Sequence, residues 1–349
     1  MVPRTQKAVF VYEIGKPVQL GKRDVPSPKG GQVLVKVAAA HLLPHDAYGR
    51  DWGLFIGEKL PFVLAGSVAG TIKELGPGVT SFHVGDRVFG TSNIDYPTPD
   101  QAGLQEYAVL QTDSMALTPK AFSDEQMATL GINVPTAAVA LFTGFGFNFP
   151  PPWSGDFESF DFSSLTIVVL GAGTNIAKLF IRLATRLLNI GRIIAVASVS
   201  NADELKEAGP AHVIDRHSSE KSIIAQVHSA AGGAENVTHL IDCVTWEHRL
   251  ATKIMARNAA SRLVTLQPVD EDKVREQRPL CKPVLVENLN INLGEPENFW
   301  RELPKWLSSG VVRPTAFKTL EGLANVDEIN RQLDEYAAGK GTPQLIVRP

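Results

Sequence analysis

The sequence predicts an α/β protein in which an N-terminal β domain precedes a doubly wound parallel sheet. From Leu165 to Leu266, short apolar runs alternate with helical stretches, which is the pattern of a parallel sheet. Over the first 120 residues, strand-like runs are separated by turns that contain Gly and Pro. Because the 349 residues exceed one domain of ~150 residues, we expect two domains.

Composition excludes several classes of function. The 34 Lys and Arg residues and 37 Asp and Glu residues give a formal charge of −3, which offers no basic surface for nucleic acid. No apolar stretch approaches the ~18 residues of a membrane span, and the N-terminal segment lacks the regions of a signal peptide. We therefore expect a cytoplasmic protein that binds neither nucleic acid nor a membrane.

Cysteine and histidine usage argues against a metal site. Cys243 and Cys281 are too few for a disulfide framework or for a zinc site made mainly of thiolates. His41 and His45 have helix-like spacing, but neither an HExxH motif nor a neighbouring ligand set accompanies them. The sequence therefore predicts no bound metal.

Strands of the β domain are predicted where apolar residues gather between turns. These runs are residues 7–15, 32–40, 68–76, 86–90 and 103–110. Residues 121–142 then have helical spacing, and Ser123 followed by Gln126 is a capping-box pattern that marks the helix start. The Phe-, Pro- and Ser-rich stretch 145–164 has no period and predicts an irregular loop, whose aromatic side chains either line a cleft or pack together.

Five apolar runs predict the strands of the parallel sheet. They are residues 165–170, 192–197, 211–214, 237–243 and 261–266. In the helix after the first strand, an apolar stripe is formed by Ile176, Leu179, Phe180, Leu183, Leu187 and Leu188. Lys178, Arg182 and Arg186 are predicted to form the opposite, polar face, and Gly191 suits the helix C-terminus.

The chain beyond Pro268 gives weaker patterns. Residues 297–307 and 326–340 look like helices, and residues 344–348 look like a last strand.

The junction of the first parallel strand with its helix reads GAGTNIA, residues 171–177. Gly171 permits a tight turn, Gly173 lets a phosphate approach the backbone, and Ala177 is small enough for the helix to pack on the sheet. The full GxGxxG spacing is not met, and a simple tight turn would also use these glycines. The run of strand–helix units favours a Rossmann dinucleotide-binding domain. The loop residues assigned to the cofactor are Gly171, Gly173, Thr174, Asn175 and Ile176.

The end of the second parallel strand favours NADPH over NADH. An acid at this point would bind the ribose 2′-hydroxyl and repel a 2′-phosphate, but the segment ASVSN contains none. Ser198 and Ser200 can donate to a phosphate beside Asn201, and Arg216 can reach the same pocket. The acids that follow suit the first turn of the next helix, which Ser200 or Asn201 would cap. The same segment can both bind a phosphate and cap the next helix.

Several segments together resemble the medium-chain dehydrogenase/reductase superfamily over nearly the whole chain. They are HLLPHDAYGR, LAGSVAGTIKELGPGV, GDRVFG, AGLQEYAVL, the Gly171 loop and LIDCV. The sequence is most similar to the zinc-independent quinone and enoyl reductases, and among them to the fungal trans-acting enoyl reductases. This resemblance implies a GroES-like β domain, residues 1–125 and 298–349, and a Rossmann domain, residues 126–297, with the active site in the cleft between them.

Two departures from the family pattern affect the expected chemistry. Zinc-dependent members carry ligands near Leu43, Gly66 and Val134, and none of these three residues is a ligand. Zinc-independent members usually have Asn-Pro-x-Asp where this chain has Leu43-Pro44-His45-Asp46. The Asn near the nicotinamide is thus replaced by Leu43, and Asp46 is interpreted as structural.

The resemblance also assigns site residues. It places Thr136 at the nicotinamide and adds Cys243, from LIDCV, to the cofactor-binding residues. Tyr48 falls where related enoyl reductases place a polar side chain that faces the substrate. Hydride transfer to an unsaturated carbonyl compound produces an enolate, which needs hydrogen-bond donors and a proton. Tyr48 is the first candidate donor, and His45 and Thr136 are the second; a packing role for Tyr48, with water as the proton source, is the alternative.

The leading hypothesis is an NADPH-dependent, zinc-independent reductase of an α,β-unsaturated carbonyl compound or enoyl thioester. The resemblance implies fungal secondary metabolism, a small-molecule or carrier-bound enoyl substrate and a polyketide synthase partner, with the chain a monomer or a homodimer. A quinone reductase and a non-catalytic dinucleotide-binding regulator are the alternatives.

Overall fold

A computed structural model describes residues 1–57, 59–93, 98–257, 259–286, 295–341 and 343–349. The chain divides into two compact units. Unit 1 comprises Met1–Ile132, Glu295–Ser309 and Arg313–Pro349, and unit 2 comprises Asn133–Gly294 and Gly310–Val312. The domain boundaries at 125/126 and 297/298 stay a prediction.

Strands and helices alternate in unit 2, whereas strands dominate unit 1. The strands are β1 (Thr5–Val11), β2 (Gln19–Asp24), β3 (Gln32–Leu42), β4 (Phe62–Val63), β5 (Ser67–Leu75), β6 (Arg87–Thr91), β7 (Tyr107–Gln111), β8 (Met115–Leu117), β9 (Thr166–Leu170), β10 (Arg192–Ala197), β11 (His212–Asp215), β12 (His239–Asp242), β13 (Ser261–Thr265), β14 (Cys281–Leu285), β15 (Phe317–Glu321) and β16 (Gln344–Arg348). The helices are α1 (Pro44–Trp52), α2 (Asp124–Ala128), α3 (Asn133–Phe142), α4 (Asn175–Arg182), α5 (Ala202–Ala208), α6 (Glu220–Ala231), α7 (Arg249–Ile254), α8 (Glu271–Gln277), α9 (Pro296–Ser308) and α10 (Val326–Ala337).

Unit 1 is built on two sheets around an apolar core. The smaller sheet has the strand order β2-β1-β4, and the larger has the order β15-β16-β3-β5-β6-β8, with β7 also paired to β3. All five predicted strands of the β domain are confirmed, and so is the predicted last strand, β16. β2 was not predicted, because its sequence QLGKRD is mostly polar and no residue of the strand is buried.

The sheet of unit 2 is parallel throughout, with the strand order β11-β10-β9-β12-β13-β14. The chain moves outward from β9 to β11 and then returns to β12 on the other side of β9. A topological switch point therefore lies between β9 and β12, where ligands bind in sheets of this kind. The predicted fold class is confirmed. The prediction of five strands was one short, because Pro283 interrupts the apolar pattern of the edge strand β14.

Two details of the prediction for helix α4, the positions of Arg182 and Gly191, were wrong. Arg182 was predicted on the polar face but is 8% exposed, and its guanidinium donates to the carbonyls of Gly310 and Val311. Gly191 was predicted at the helix C-terminus, yet Asn189 is the residue with a left-handed backbone, at φ 54°. Gly191 is needed for space, since a Cβ there would lie 1.8 Å from the Ser163 carbonyl oxygen.

The helical run predicted over residues 121–142 is two helices. α2 begins at the predicted capping box, where Ser123 Oγ accepts from Gln126 N and Gln126 Oε1 accepts from Ser123 N. The chain leaves the helical path before α3, and Gly131 packs so closely that an added Cβ would lie 2.3 Å from the Gly90 carbonyl oxygen. A tertiary contact thus separates the two helices.

The segment 145–164 is irregular, as predicted, apart from two short 3-10 turns. Its aromatic side chains pack together: Phe149 contacts Phe147 at a ring distance of 5.4 Å and Phe162 at 6.0 Å. His239 lies against the same rings.

No helix in the described part of the chain is long and apolar enough to cross a bilayer.

Candidate functional site

Gly171 follows β9 at the switch point of the sheet. Its φ of +71° lies in the left-handed region, and an added Cβ would lie only 2.5 Å from Val244 Cγ1. Both the backbone conformation and the neighbouring Val244 therefore require glycine at this position.

Thr174 begins helix α4 directly after this turn. Its Oγ1 accepts a hydrogen bond from Ala177 N at 3.3 Å, and Ala177 is fully buried. Asn175 and Ile176 form the rest of the first turn. A helix N-terminus presents backbone N–H groups and a positive dipole end, which together favour an anionic group.

Gly173 faces the segment after the neighbouring strand. An added Cβ would lie 2.7 Å from Asn201 Nδ2. Asn201 precedes α5 as its N-cap residue but makes no capping hydrogen bond with its side chain. Two of the residues predicted to bind the cofactor, from segments about 30 residues apart, thus meet above the glycine turn.

The residues predicted to recognise a 2′-phosphate lie at the ends of β10 and β11. Ser200 Oγ donates to Ser198 Oγ at 2.9 Å, and Arg216 N donates to the Ala197 carbonyl at 2.9 Å. Ser200 and Arg216 are exposed and Ser198 is half-buried.

The acids that follow the second strand lie in α5, as the sequence suggests. Asp203 is fully exposed, and Glu204 forms an ion pair with Lys178 of α4.

Cys243 follows β12, and its backbone N–H donates to the Leu170 carbonyl at 3.1 Å. Burial raises the pKa of the Cys243 thiol, the Asp242 charge adds to this effect, and a hydrogen bond with Thr174 opposes it. A protonated thiol in this position can contact a bound molecule but is a poor nucleophile.

These observations are what a nicotinamide dinucleotide requires. A glycine turn, a helix N-terminus and the ends of three neighbouring strands meet at one edge of the sheet. The two glycines let the backbone of the turn be approached closely, and the side chains of Thr174, Ser198 and Asn201 add hydroxyl and amide groups nearby. The residues of unit 2 therefore fit this class of cofactor.

Helix α1 in unit 1 carries two of the predicted catalytic residues. Tyr48 is half-buried, and its ring stacks on the exposed Trp52 ring at 4.9 Å. His45 packs edge-on against Phe55 at 6.0 Å. Asp46 accepts hydrogen bonds from the backbone N–H groups of Leu43 and Ala65, at 2.7 and 2.9 Å, which fits its interpretation as a structural residue.

A mainly apolar pocket in unit 1 adjoins this helix. His45 lines it, together with Phe55, Ser92 and Ile132, whereas Tyr48 does not. Phe55 has φ 64°, an uncommon conformation for a bulky residue. The two candidate donors of α1 thus have different surroundings.

Thr136, the third predicted catalytic residue, lies in unit 2. It is on α3 and is 7% exposed. α3 packs against α4, the helix that begins at the glycine turn.

The positions where zinc-dependent relatives carry ligands are unsuited to them. Leu43 caps α1 through its backbone, and a Cβ at Gly66 would lie 2.5 Å from Ser92 Oγ. Val134 is fully buried. Across the residues that the structure describes, no three His, Cys, Asp or Glu side chains group closely enough to hold a metal ion.

Three residues near the glycine turn were not predicted from the sequence. Val244 packs over Gly171, and Asp242 and His248 form a buried pair at 2.9 Å. Only Asp242 carried a usable signal, since a carboxylate at the end of an otherwise apolar strand is unusual in a parallel sheet.

Known proteins are similar to this chain in sequence and in fold. Residues 29–120 match the alcohol dehydrogenase GroES-like domain. The trans-enoyl reductase tazE of Aspergillus terreus is 28% identical over 242 residues, which cover 68% of this chain and 76% of that protein. The enoyl reductase component lovC of lovastatin nonaketide synthase, also from Aspergillus terreus, is 29% identical over 247 residues, 70% of this chain and 64% of that protein.

Solved structures share the whole architecture. The CurK enoyl reductase is 17% identical, with a TM-score of 0.76 over 99% of both chains. A mycobacterial protein solved in complex with NADPH is 22% identical, with a TM-score of 0.75 over 98% of this chain and 100% of that one. In sequence and in fold, this chain is thus similar to enoyl reductase-like oxidoreductases of the medium-chain dehydrogenase/reductase superfamily.

Proposed function

We propose that this chain is an NADPH-dependent, zinc-independent reductase of α,β-unsaturated carbonyl compounds or enoyl thioesters. The observation that carries the proposal is the edge of the parallel sheet at the β9–β12 switch point. There, the N-terminus of α4 follows a turn in which Gly171 has a left-handed backbone and Gly173 lies close to Asn201. Relatives named as enoyl reductases support the choice of reaction.

The preference for NADPH rests on charge at the end of β10. Ser198, Ser200 and Arg216 offer hydroxyl and guanidinium donors there. Among the acids of α5, Glu204 forms an ion pair with Lys178, and Asp203 lies 3.6 Å from Lys206. A 2′-phosphate would meet donors without a facing carboxylate from that segment.

Bound NADPH supplies a hydride for the β-carbon of the substrate. The electron pair of the double bond then moves to the carbonyl oxygen as an enolate, and the α-carbon takes a proton. We assign the hydrogen bond that stabilises this oxygen to the Tyr48 hydroxyl, with His45 and Thr136 as the second candidates. Burial raises the pKa of the Cys243 thiol, so the thiol stays protonated and is a poor nucleophile.

The residues at three positions support the proposed zinc independence. With Leu43, Gly66 and Val134 at the ligand positions of zinc-dependent relatives, the carbonyl oxygen must be polarised by hydrogen-bond donors alone. Elemental analysis of the purified protein should find no stoichiometric zinc, and chelators should leave NADPH oxidation unchanged. One tightly held equivalent of zinc would contradict this.

The relatives also suggest a biological setting. One of them is named as the enoyl reductase component of a nonaketide synthase. We propose that this chain likewise acts on a carrier-bound or free enoyl compound in secondary metabolism, with a polyketide synthase as partner.

An assay with two acceptors tests the reaction. NADPH oxidation should be rapid with an enoyl thioester and slow with a quinone. The reverse order would favour a quinone reductase, and NADPH binding without turnover of either acceptor would favour a non-catalytic regulator.

The choice of cofactor has its own test. NADPH should bind at least tenfold more tightly than NADH, a difference of about 1.4 kcal/mol. Ser200→Asp should weaken NADPH far more than NADH, because the new carboxylate would face the 2′-phosphate. Ser229→Asp, an exposed site on α6, is the matched control and should leave both affinities unchanged. Equal affinity of the unmodified protein for the two cofactors would overturn the assignment.

A further inference from the structure

We propose that Asp242 and His248 are positioning residues, which hold residues 243–248 in the shape that forms one wall of the dinucleotide site. This inference rests on the proposed function. Both act on the glycine turn through Val244 and Cys243. We refer to residues 243–248 as the wall segment.

The Asp242 carboxylate accepts four hydrogen bonds from residues of the wall segment. Its Oδ1 accepts from the backbone N–H groups of Val244 and Thr245, at 3.2 and 3.0 Å. Its Oδ2 accepts from the Thr245 hydroxyl and from His248 Nδ1, the latter at 2.9 Å. The carboxylate is fully buried, and although burial opposes ionisation, the bonds from His248 and Thr245 hold the pKa of Asp242 below its usual range. Asp242 is therefore an ionised group that four donors surround.

His248 is the last residue of the wall segment. It is 1% exposed and has φ 51°, a left-handed conformation that costs energy for a residue other than glycine. Its Nε2 lies 3.3 Å from the Pro268 carbonyl oxygen. The imidazole thus joins the end of β12 to the chain just beyond β13, and these contacts offset the strain in the backbone.

The wall segment meets the glycine turn at two points. Val244 Cγ1 would lie 2.5 Å from a Cβ added on Gly171, and a hydrogen bond with Thr174 acts on the Cys243 thiol. Val244 is nonetheless 44% exposed, so it remains accessible to solvent. Displacement of this segment would change the space above Gly171 even if the sheet stayed intact.

The loss of a residue that only stabilised the fold would have a different effect from the loss of a positioning residue. Its loss would lower the melting temperature without a specific change at Val244 and Thr245. His228 provides that comparison within unit 2, since its Nε2 also bonds a backbone carbonyl, that of Ile254, at 2.8 Å. It lies on α6, away from the wall segment in sequence.

Amide hydrogen exchange on the protein without dinucleotide tests the positioning role directly. His248→Ala should speed exchange at Val244 and Thr245 by about tenfold or more, which is the loss expected when one partner of a buried hydrogen bond is removed. His228→Ala should leave these two amides unchanged. His248→Asn should restore protection, because Asn tolerates the left-handed conformation and can donate to Asp242.

NADPH titration of the same variants completes the test. His248→Ala should raise the Kd about tenfold, and His248→Asn should return it to within about threefold of the unmodified protein. If His248→Ala fails to fold, Thr245→Val removes one donor to Asp242 and should show the same changes in smaller degree. Unchanged exchange at Val244 and Thr245 in either folded variant would overturn the positioning role. Failure of the unmodified protein to bind NADPH would instead overturn the proposed function. The exchange experiment, which is done without dinucleotide, would still show whether Asp242 and His248 position the wall segment.

Discussion

At the scale of single residues, the two glycines of the turn have different tasks. Gly171 is constrained by its own φ and by Val244, so most substitutions there would disturb the turn. Gly173 faces only the end of the flexible Asn201 side chain. A side chain at Gly173 can therefore displace Asn201 and leave the backbone in place.

Gly173→Val should abolish measurable NADPH binding while the protein remains folded. The new side chain would fill the space that the phosphate needs. Fluorescence titration measures the binding, and circular dichroism with thermal unfolding checks the fold. Gly155→Val is the matched control, because a Cβ there meets nothing within 4 Å. Normal NADPH affinity in a folded Gly173→Val variant would remove the glycine turn from the cofactor site.

Tyr48→Phe should lower turnover roughly a hundredfold, the range typical of a lost general acid, with little change in NADPH affinity. The stacked contact with Trp52 survives in this variant, since only the hydroxyl is removed. Steady-state kinetics with an enoyl thioester provides the measurement. Tyr12→Phe, at a half-exposed tyrosine of unit 1, should have no effect. A loss below about threefold would leave Tyr48 a packing residue and make water the proton source.

Local sequence identified the glycine turn but not the residues that shape it. GAGTNIA carries its own signal, because tight turns and close phosphate approach both require small residues. Val244 and His248 carry none, since their roles arise from contacts with Gly171 and Asp242 that only the folded sheet creates.

At the scale of elements, helix starts were more predictable than helix continuity. The capping box at Ser123 is a local pattern and is present in the structure. The break between α2 and α3 was not predictable, because it depends on Gly131 packing against Gly90, about 40 residues away. Arg182 is a similar case, as its buried position depends on carbonyls of residues 310 and 311.

Ser123→Ala should lower the free energy of unfolding by about 1 kcal/mol. The variant loses the hydrogen bond from Gln126 N to Ser123 Oγ, which caps α2. Urea unfolding at neutral pH measures the change. Ser229→Ala, on the exposed face of α6, should change stability by less than about 0.5 kcal/mol. An equal effect of the two substitutions would show that the capping box contributes nothing.

At the scale of the whole molecule, buried histidines link stability to pH. Burial lowers the pKa of His41 from 6.5 to about 3, and the neighbouring charge of His45 adds to the effect. His41 lies in β3 and is 1% exposed. Above pH 6.5 neither the folded nor the unfolded chain binds this proton. Between pH 6.5 and about 3 only the unfolded chain binds it, so stability falls as the pH falls.

His41→Leu should flatten this dependence. The unmodified protein should lose up to about 1.4 kcal/mol for each pH unit below 6.5 through this residue, and the variant should lack that contribution. Urea unfolding at pH 7, 6 and 5 measures the two slopes. His83→Gln, at an exposed histidine, should keep the slope of the unmodified protein. Parallel slopes for the unmodified protein and His41→Leu would contradict the low pKa of His41.

The position of β16 has a consequence for synthesis on the ribosome. β16 pairs with both β15 and β3, so the larger sheet of unit 1 needs residues 344–348 as well as residues 32–42. The strands that the structure describes in unit 2, by contrast, lie between residues 166 and 285. During translation unit 2 can therefore complete its sheet while β3, already paired with β5 and β7, still lacks β16 beside residues 40–42, which leaves that part of its edge open to wrong pairing. The larger sheet of unit 1 therefore begins with early strands but is completed only when β16 has been made. Chaperones that shield nascent strands should thus matter most for unit 1.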